Sequence, residues 1–174
     1  SLVGWIPGGL AVVCFVASAF FGAISGSSSA TVVAIGSIMV PALLEAGYSL
    51  KFSLATVASA GYLGIIIPPS IPMVTYGLAT GESVGDLFLC GFIPGILLVV
   101  FMSVYGIYYG KKNVPVVEKF SIRKFLRALV DSLWALGMPI IILGGIYSGV
   151  FTPTESAAVA CVYGIIVGRY VYKE

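Results

Sequence analysis

Charged residues divide this chain into long apolar runs. None occurs in residues 1–44; Glu45 and Lys51 flank a short polar stretch, EAGYSLK; residues 52–81 are again uncharged; Glu82 and Asp86 mark GESVGD; and residues 87–110 form a third run. A basic segment, KKNVPVVEKFSIRKFLR, follows, then two more apolar runs, 132–154 and 156–168, and a closing RYVYKE. A membrane-spanning helix needs about 20 apolar residues, so runs of this length read as spans. No segment alternates polar and apolar residues as a membrane β-barrel strand must. The first run is too long for one span, since 44 helical residues would reach about 66 Å, twice the hydrocarbon thickness of about 30 Å. It must fold back, and the polar stretch SGSSSAT at 25–31 is the place to do so, giving helices over about 7–24 and 29–44.

Composition agrees. The chain has 174 residues, 59% hydrophobic and 9% charged, against about 25% charged in soluble domains. That deficit makes it an integral membrane protein of the all-α class, and a net charge of +2 argues against nucleic acid as a partner. Cys14, Cys90 and Cys161 match no metal or redox spacing and read as small hydrophobes. Histidine is absent, which removes the usual general base and metal ligand. The first residues, SLVGWIPGGL, carry neither Met nor a charged n-region, and read as the interior of a longer protein.

Charge also orients the spans. Six Lys/Arg against one Glu between positions 111 and 127 place that segment in the cytoplasm. GESVGD is then outside, Lys51 inside, and residues 126–147 run outward to a turn at GVFTPTES, from which 155–170 return. SIRKFLRAL, 121–129, has a basic helical face that fits either the inner membrane surface or an ordinary connector. The first hairpin is either re-entrant from the cytoplasm or a pair of full spans; charge does not separate the two.

Three stretches carry candidate chemistry. At the hairpin tip, the incoming helix ends in free carbonyls and the outgoing helix begins with free N–H groups, so one turn offers oxygen ligands for a cation and donors for an anion. Ser27, Ser28 or Ser29 can cap the outgoing helix; the bland alternative is small residues allowing close packing. In GYLGIIIPPSIPMV, Pro68, Pro69 and Pro72 remove the helical partners of the Gly64, Ile65 and Pro68 carbonyls. Those carbonyls fall near the bilayer midplane, where a sodium ion, or Ser70 and neighbouring helices, must meet them. In GGIYSGVFTPTESAAVA, Pro153 frees the Gly149 carbonyl, Thr152 can cap the next helix, and Glu155 sits in its first turn, where capping and function compete as explanations. Thr152, Thr154 and Glu155 form a secondary candidate site.

GGLAVVCFVASAFFGAISGSSSATVVAIGSIMVPALLEAGY, followed by LGIIIPPSIPMVTYG and GGIYSGVFTPTESAAVACVYG, resembles the large membrane subunit of tripartite ATP-independent periplasmic (TRAP) transporters over nearly the whole chain. The resemblance implies two inverted repeats, each with a re-entrant hairpin and an unwound helix, and import of an organic acid such as sialic acid or a C4-dicarboxylate with sodium by an elevator motion. It implies a periplasmic substrate-binding protein, a small membrane subunit, and a multi-pass location in the bacterial inner membrane. It makes the hairpin re-entrant, 25–31 its tip and 67–72 the neighbouring break. Expected sodium ligands are Ser25, Gly26, Ser27, Gly64, Ile65, Ile67, Pro68 and Ser70; expected substrate contacts are Ser28, Ser29 and Thr31.

The expected layout is a re-entrant hairpin over 1–47, an unwound span and the following span over 48–110, a basic connector over 111–127, and two spans opening the second repeat over 128–174. The family's second hairpin and second unwound helix do not follow within the sequence, so the expected unit is half of an inverted-repeat elevator transporter, unable to transport alone. Three other readings stand beside this one: a sodium-coupled carboxylate transporter without a binding protein, a channel-like structural protein, and an intramembrane serine hydrolase built on GAISG. The last lacks histidine, and Lys51 sits at the wrong end of its helix to replace it.

Overall fold

A computed structural model describes residues 8–114, 134 and 137–172 of the chain. All regular structure among them is helical: α1 (Gly9–Ser25), α2 (Ser28–Glu45), α3 (Leu50–Gly61), α4 (Leu63–Ile66), α5 (Ile71–Thr80), α6 (Val84–Asn113), α7 (Gly137–Tyr147) and α8 (Pro153–Val167), the last running into a π-helical turn, Gly168–Tyr172. Three stretches, Ser28–Glu45, Leu50–Thr80 and Val84–Asn113, are long and apolar enough to cross a membrane. This is an all-α membrane protein. The expected surface helix at 121–129 and most of the 111–127 connector lie outside the described residues.

The connections are shorter than the charge pattern predicts. Asp86 is already in the first turn of α6, behind a Ser83 cap whose hydroxyl accepts from Asp86 N at 3.3 Å, and Lys111 and Lys112 occupy its last turn. Acid at the positive end and lysine at the negative end both suit the helix dipole, so the helix extends through them. The boundary expected at 110 therefore falls inside α6. Likewise, Glu45 ends α2 and Lys51 lies in the first turn of α3.

α1 and α2 form the expected hairpin, with a tighter turn than 25–31. Gly26 alone takes a left-handed conformation (φ 62°), Ser27 is extended, and Ser28 already begins α2. Both ends of the hairpin lie toward the C-terminal end of α6. Gly8 abuts the Gly106 backbone, and Ser49, four residues after α2, has its hydroxyl 3.1 Å from that of Tyr109. Phe52 stacks on Tyr109 with centroids 3.7 Å apart, and Tyr48 and Tyr105 extend the aromatic group on either side. The base of the hairpin is thus pinned at the end carrying Lys51, Lys111 and Lys112.

The tip reaches the middle of Leu50–Thr80. There the helix is interrupted twice, at Tyr62, whose N–H bonds three residues back to Ser59 O at 3.2 Å, and at 67–70, before α5 resumes. The first interruption was not expected from the sequence. Glycines permit the crossing: a Cβ on Gly22 would lie 2.6 Å from Gly64 Cα, one on Gly64 would lie 2.8 Å from Ser27 O and overlap Thr31 Oγ1, and one on Gly61 would overlap Val32. On the opposite side, Gly91 and Gly95 of α6 receive Ile66 and Ile67. Gly91 and Gly95 lie nearer Asp86 than the middle of the Asp86-to-Lys111 stretch by about 5–10 Å at 1.5 Å per residue. The break thus packs against the half of α6 nearer Asp86.

Gly64→Ala should destabilise the full-length protein by about 1–3 kcal/mol, since backbone cannot yield as a side chain can. Gly144→Ala, where a Cβ meets nothing within 4 Å, should be neutral. Thermal melts in detergent check this; equal melting temperatures for the two variants would contradict the crossing.

Candidate functional site

The hairpin tip is a knot of hydroxyls around one carbonyl. Thr31 is a full turn after Ser27, so its hydroxyl reaches back and donates to Ser27 O at 2.8 Å, beside the backbone bond from Thr31 N at 3.1 Å. The Ser25 hydroxyl lies 3.4 Å from the same carbonyl and 3.3 Å from Thr31 Oγ1, and it accepts from Ser27 N at 3.4 Å. Ser27 caps α2, its hydroxyl accepting from Ala30 N at 3.4 Å. Thr31 is fully buried, so the structure groups it with Ser25 and Ser27 and apart from Ser29, which is exposed. Ser28 turns toward Gly61. The Ser28 and Ser29 amides precede the first intrahelical bond of α2 and stand at the positive end of its dipole.

The break answers the tip directly. Ile71 N, the first amide of α5, donates to Gly26 O at 3.2 Å. The negative end of α1 therefore meets the positive end of α5. Within the break, the buried Ser70 hydroxyl donates to Ile65 O at 2.7 Å, supplying the partner that Pro69 cannot. This is the self-satisfied arrangement weighed for the break above. Ile67 N still bonds Leu63 O at 2.9 Å, and Pro68 is buried.

A cleft of about 370 Å³ opens beside this junction and brings the third stretch to the first two. Ser25 and Gly26 from the tip, Pro69 and Ser70 from the break, and Pro153 and Thr154 from the start of α8 all line it. Ser27, Ser28, Ser29, Thr31, Gly64, Ile65, Ile67 and Pro68 are not among its lining residues. Thr75, Phe88, Ile142 and Ile146 are, and sequence reasoning passed over them; Thr75, one turn beyond the PPxxP cluster, is the polar one it could have found. Thr152 and Glu155 serve α8 itself: the Glu155 carboxylate accepts from Thr152 N and from the Thr152 hydroxyl, both at 2.8 Å, and the Thr152 hydroxyl accepts from Glu155 N at 3.3 Å. Pro153 is the first residue of α8, where a missing N–H costs the helix nothing. The Gly149 carbonyl is accordingly part of a turn (φ 70° at Gly149), not a broken helix.

Comparison with known proteins decides the family. The sequence model described as "Tripartite ATP-independent periplasmic transporter, DctM component" matches residues 1–174. The chain belongs to this family. Curated relatives include the C4-dicarboxylate TRAP transporter large permease protein DctM of Pseudomonas aeruginosa, 49% identical over 99% of this chain and 40% of its own length. The isethionate TRAP transporter permease protein DctMQ of Oleidesulfovibrio alaskensis is 45% identical over 99% of this chain and 28% of its own length. The ectoine TRAP transporter large permease protein TeaC of Halomonas elongata is 42% identical over 99% and 41%. The chain thus spans well under half of the relatives it matches. These relatives are permeases, not enzymes, and Lys51, the base weighed for a hydrolase, lies ten residues from Gly61, about 15 Å down α3 from the tip.

In the full-length DctM-family permease, Ser70→Ala should leave the Ile65 carbonyl short of a partner and cost about 1–3 kcal/mol. Thr75→Val should cost less, because the Thr75 hydroxyl only reinforces Ile71 and Pro72 carbonyls within α5. The melting temperatures of both variants decide it; a Thr75→Val loss matching that of Ser70→Ala would show that Ser70 is not holding the break.

Proposed function

We propose that this chain is the part of a large TRAP permease subunit that binds sodium and half of an organic-acid substrate, during sodium-coupled import across the bacterial inner membrane. The whole multi-pass protein would work with a small membrane subunit and a periplasmic substrate-binding protein; the fused name DctMQ of one relative is in keeping with such a subunit. Import would follow an elevator motion of the hairpin and broken helix, with a second, inverted repeat supplying the other half of the site. The relatives' printed substrates, C4-dicarboxylate, isethionate and ectoine, share an acidic oxyanion group, which supports an organic acid here.

The observation that carries this reading is the meeting of two helix breaks with opposite polarity at one place. On one side stand oxygens. Ser25 Oγ, Thr31 Oγ1 and Ser27 O are separated by 2.8, 3.3 and 3.4 Å. Oxygens around a hard cation at about 2.3–2.6 Å are spaced similarly. Re-aimed away from that carbonyl, the two hydroxyls would present their lone pairs to a cation, so the network is compatible with sodium as cargo. On the other side stand the Ser28 and Ser29 amides at a helix N-terminus, a natural seat for a carboxylate. A cation on the first side favours an anion on the second, and by linkage the reverse holds equally.

The bond from the Thr31 hydroxyl to Ser27 O supports a division of labour different from the one expected. Thr31 belongs with the cation side, so Ser25→Ala and Thr31→Val should both raise the sodium concentration needed for uptake, and high sodium should restore substrate affinity. Ser29→Pro at the exposed second helical position, where α5 itself carries Pro72, removes one amide donor within the first turn and should weaken the acid without sodium rescue. Uptake against sodium concentration by the full-length protein with its binding protein measures this. Rescue of all three variants, or of none, would overturn the assignment.

A further inference from the structure

A second cleft, of about 750 Å³, runs between α3 and α6 on the side away from the tip–break junction. Its chemistry is graded along its length. At one end are Lys51 and the hydrogen-bonded hydroxyls of Ser49 and Tyr109. Beyond them the walls are aromatic, Phe52 facing Tyr105, and the far end is reached at Ser59 and Phe101. Among the described residues no acidic one lines it. Phe101 and Tyr105 are 67% and 58% exposed, so within this chain the cleft opens sideways along α6. The Ser49–Tyr109 contact places its polar end at the same end of the helices as Lys111 and Lys112, the end that the positive-inside rule assigns to the cytoplasm.

We propose that this cleft is a binding site for one phospholipid of the inner leaflet with an anionic headgroup. Lys51, Ser49 and Tyr109 hold the phosphate and the aromatic walls hold an acyl chain. Length supports it: the ten residues from Ser49 to Ser59 rise about 15 Å, half of the hydrocarbon thickness of about 30 Å. A soluble phosphate would gain nothing from the aromatic walls, and a zwitterionic lipid, whose choline offsets its phosphate, would gain less from the lysine than an anionic one. The site lies on the aromatic group that pins the hairpin base to α6, so its lipid would brace the same joint.

The test uses the full-length permease in mild detergent, titrated with dioleoyl-phosphatidylglycerol or dioleoyl-phosphatidylcholine and read by native mass spectrometry. Phosphatidylglycerol should be retained about fivefold more strongly, the preference one lysine gives at an anionic surface. Lys51→Ala should abolish the preference, and Ala55→Trp, which fills the cleft without touching its charge, should reduce retention of both lipids. Phosphatidylglycerol with a photoactivatable acyl chain should label the peptide containing Phe101, and glycerol phosphate should not compete. Equal retention of the two lipids, a preference that survives Lys51→Ala, or labelling elsewhere would overturn the proposal. So would a disulfide between Ala55→Cys and a cysteine placed outside residues 1–174, which would show another part of the permease filling the cleft.

Discussion

Backbone that is not helical cannot be left unsatisfied in an apolar region, and this chain breaks two helices there. An unpartnered amide or carbonyl in such surroundings costs several kcal/mol. The bond from Ile71 N to Gly26 O resolves part of that cost for both breaks at once, because the orphan donor of one is the partner of the orphan carbonyl of the other. It also fixes relative position: α1 must end where α5 begins. The glycines follow from this requirement. Gly22 and Gly64 are where the two broken helices cross backbone to backbone, Gly61 makes room for Val32, and Gly91 and Gly95 let α6 close over the far side.

The rest of the architecture holds that junction at its depth. The stacked rings of Tyr48, Phe52 and Tyr109, with the Ser49–Tyr109 bond, fasten the hairpin base to the basic end of α6. With the base fixed and α1 seventeen residues long, the tip can only fall at the break. The result is a rigid ruler with polar chemistry at its far end. α8 meets the same place from another side through Pro153 and Thr154, its own start secured by the capping box of Thr152 and Glu155. That box gives the acidic residue in an apolar stretch a structural reason to be there.

Much of this was legible because the signals are local. A 44-residue uncharged run must bend, a Gly-Ser cluster is where it can, and three prolines within five residues must open a helix. Charges marked the ends of spans, though too early at Asp86 and Lys111, since the helix dipole welcomes both. What the sequence could not convey was who satisfies whom. Thr31 looked like a first-turn donor beside Ser28 and Ser29; its rotamer instead sends the hydroxyl back to Ser27 O. Ser70 was one of two possible partners for Ile65, and its hydroxyl is the donor the structure supplies. The interruption at Tyr62 has no proline to announce it, because it answers a neighbour, Val32 and Ser28 against Gly61. The cleft joining the third stretch to the first two is likewise a product of packing between distant segments.

On the proposed reading, the tightness of the tip has a mechanistic consequence. Ser27 O already accepts from Thr31 N and Thr31 Oγ1 and lies within 3.4 Å of Ser25 Oγ. An ion entering there competes with contacts that hold the hairpin turn together. Its binding must therefore re-aim the two hydroxyls while the glycine crossing keeps the backbone still. A network that is satisfied without the ion can exist empty, which a carrier needs on its return journey, and it exchanges neutral hydrogen bonds for ion contacts when loaded. The charge that arrives is then felt one turn away, at the amides of Ser28 and Ser29, through low-dielectric surroundings that screen it poorly. Coupling between ion and acid follows from that short fixed distance, without any large movement of the tip itself.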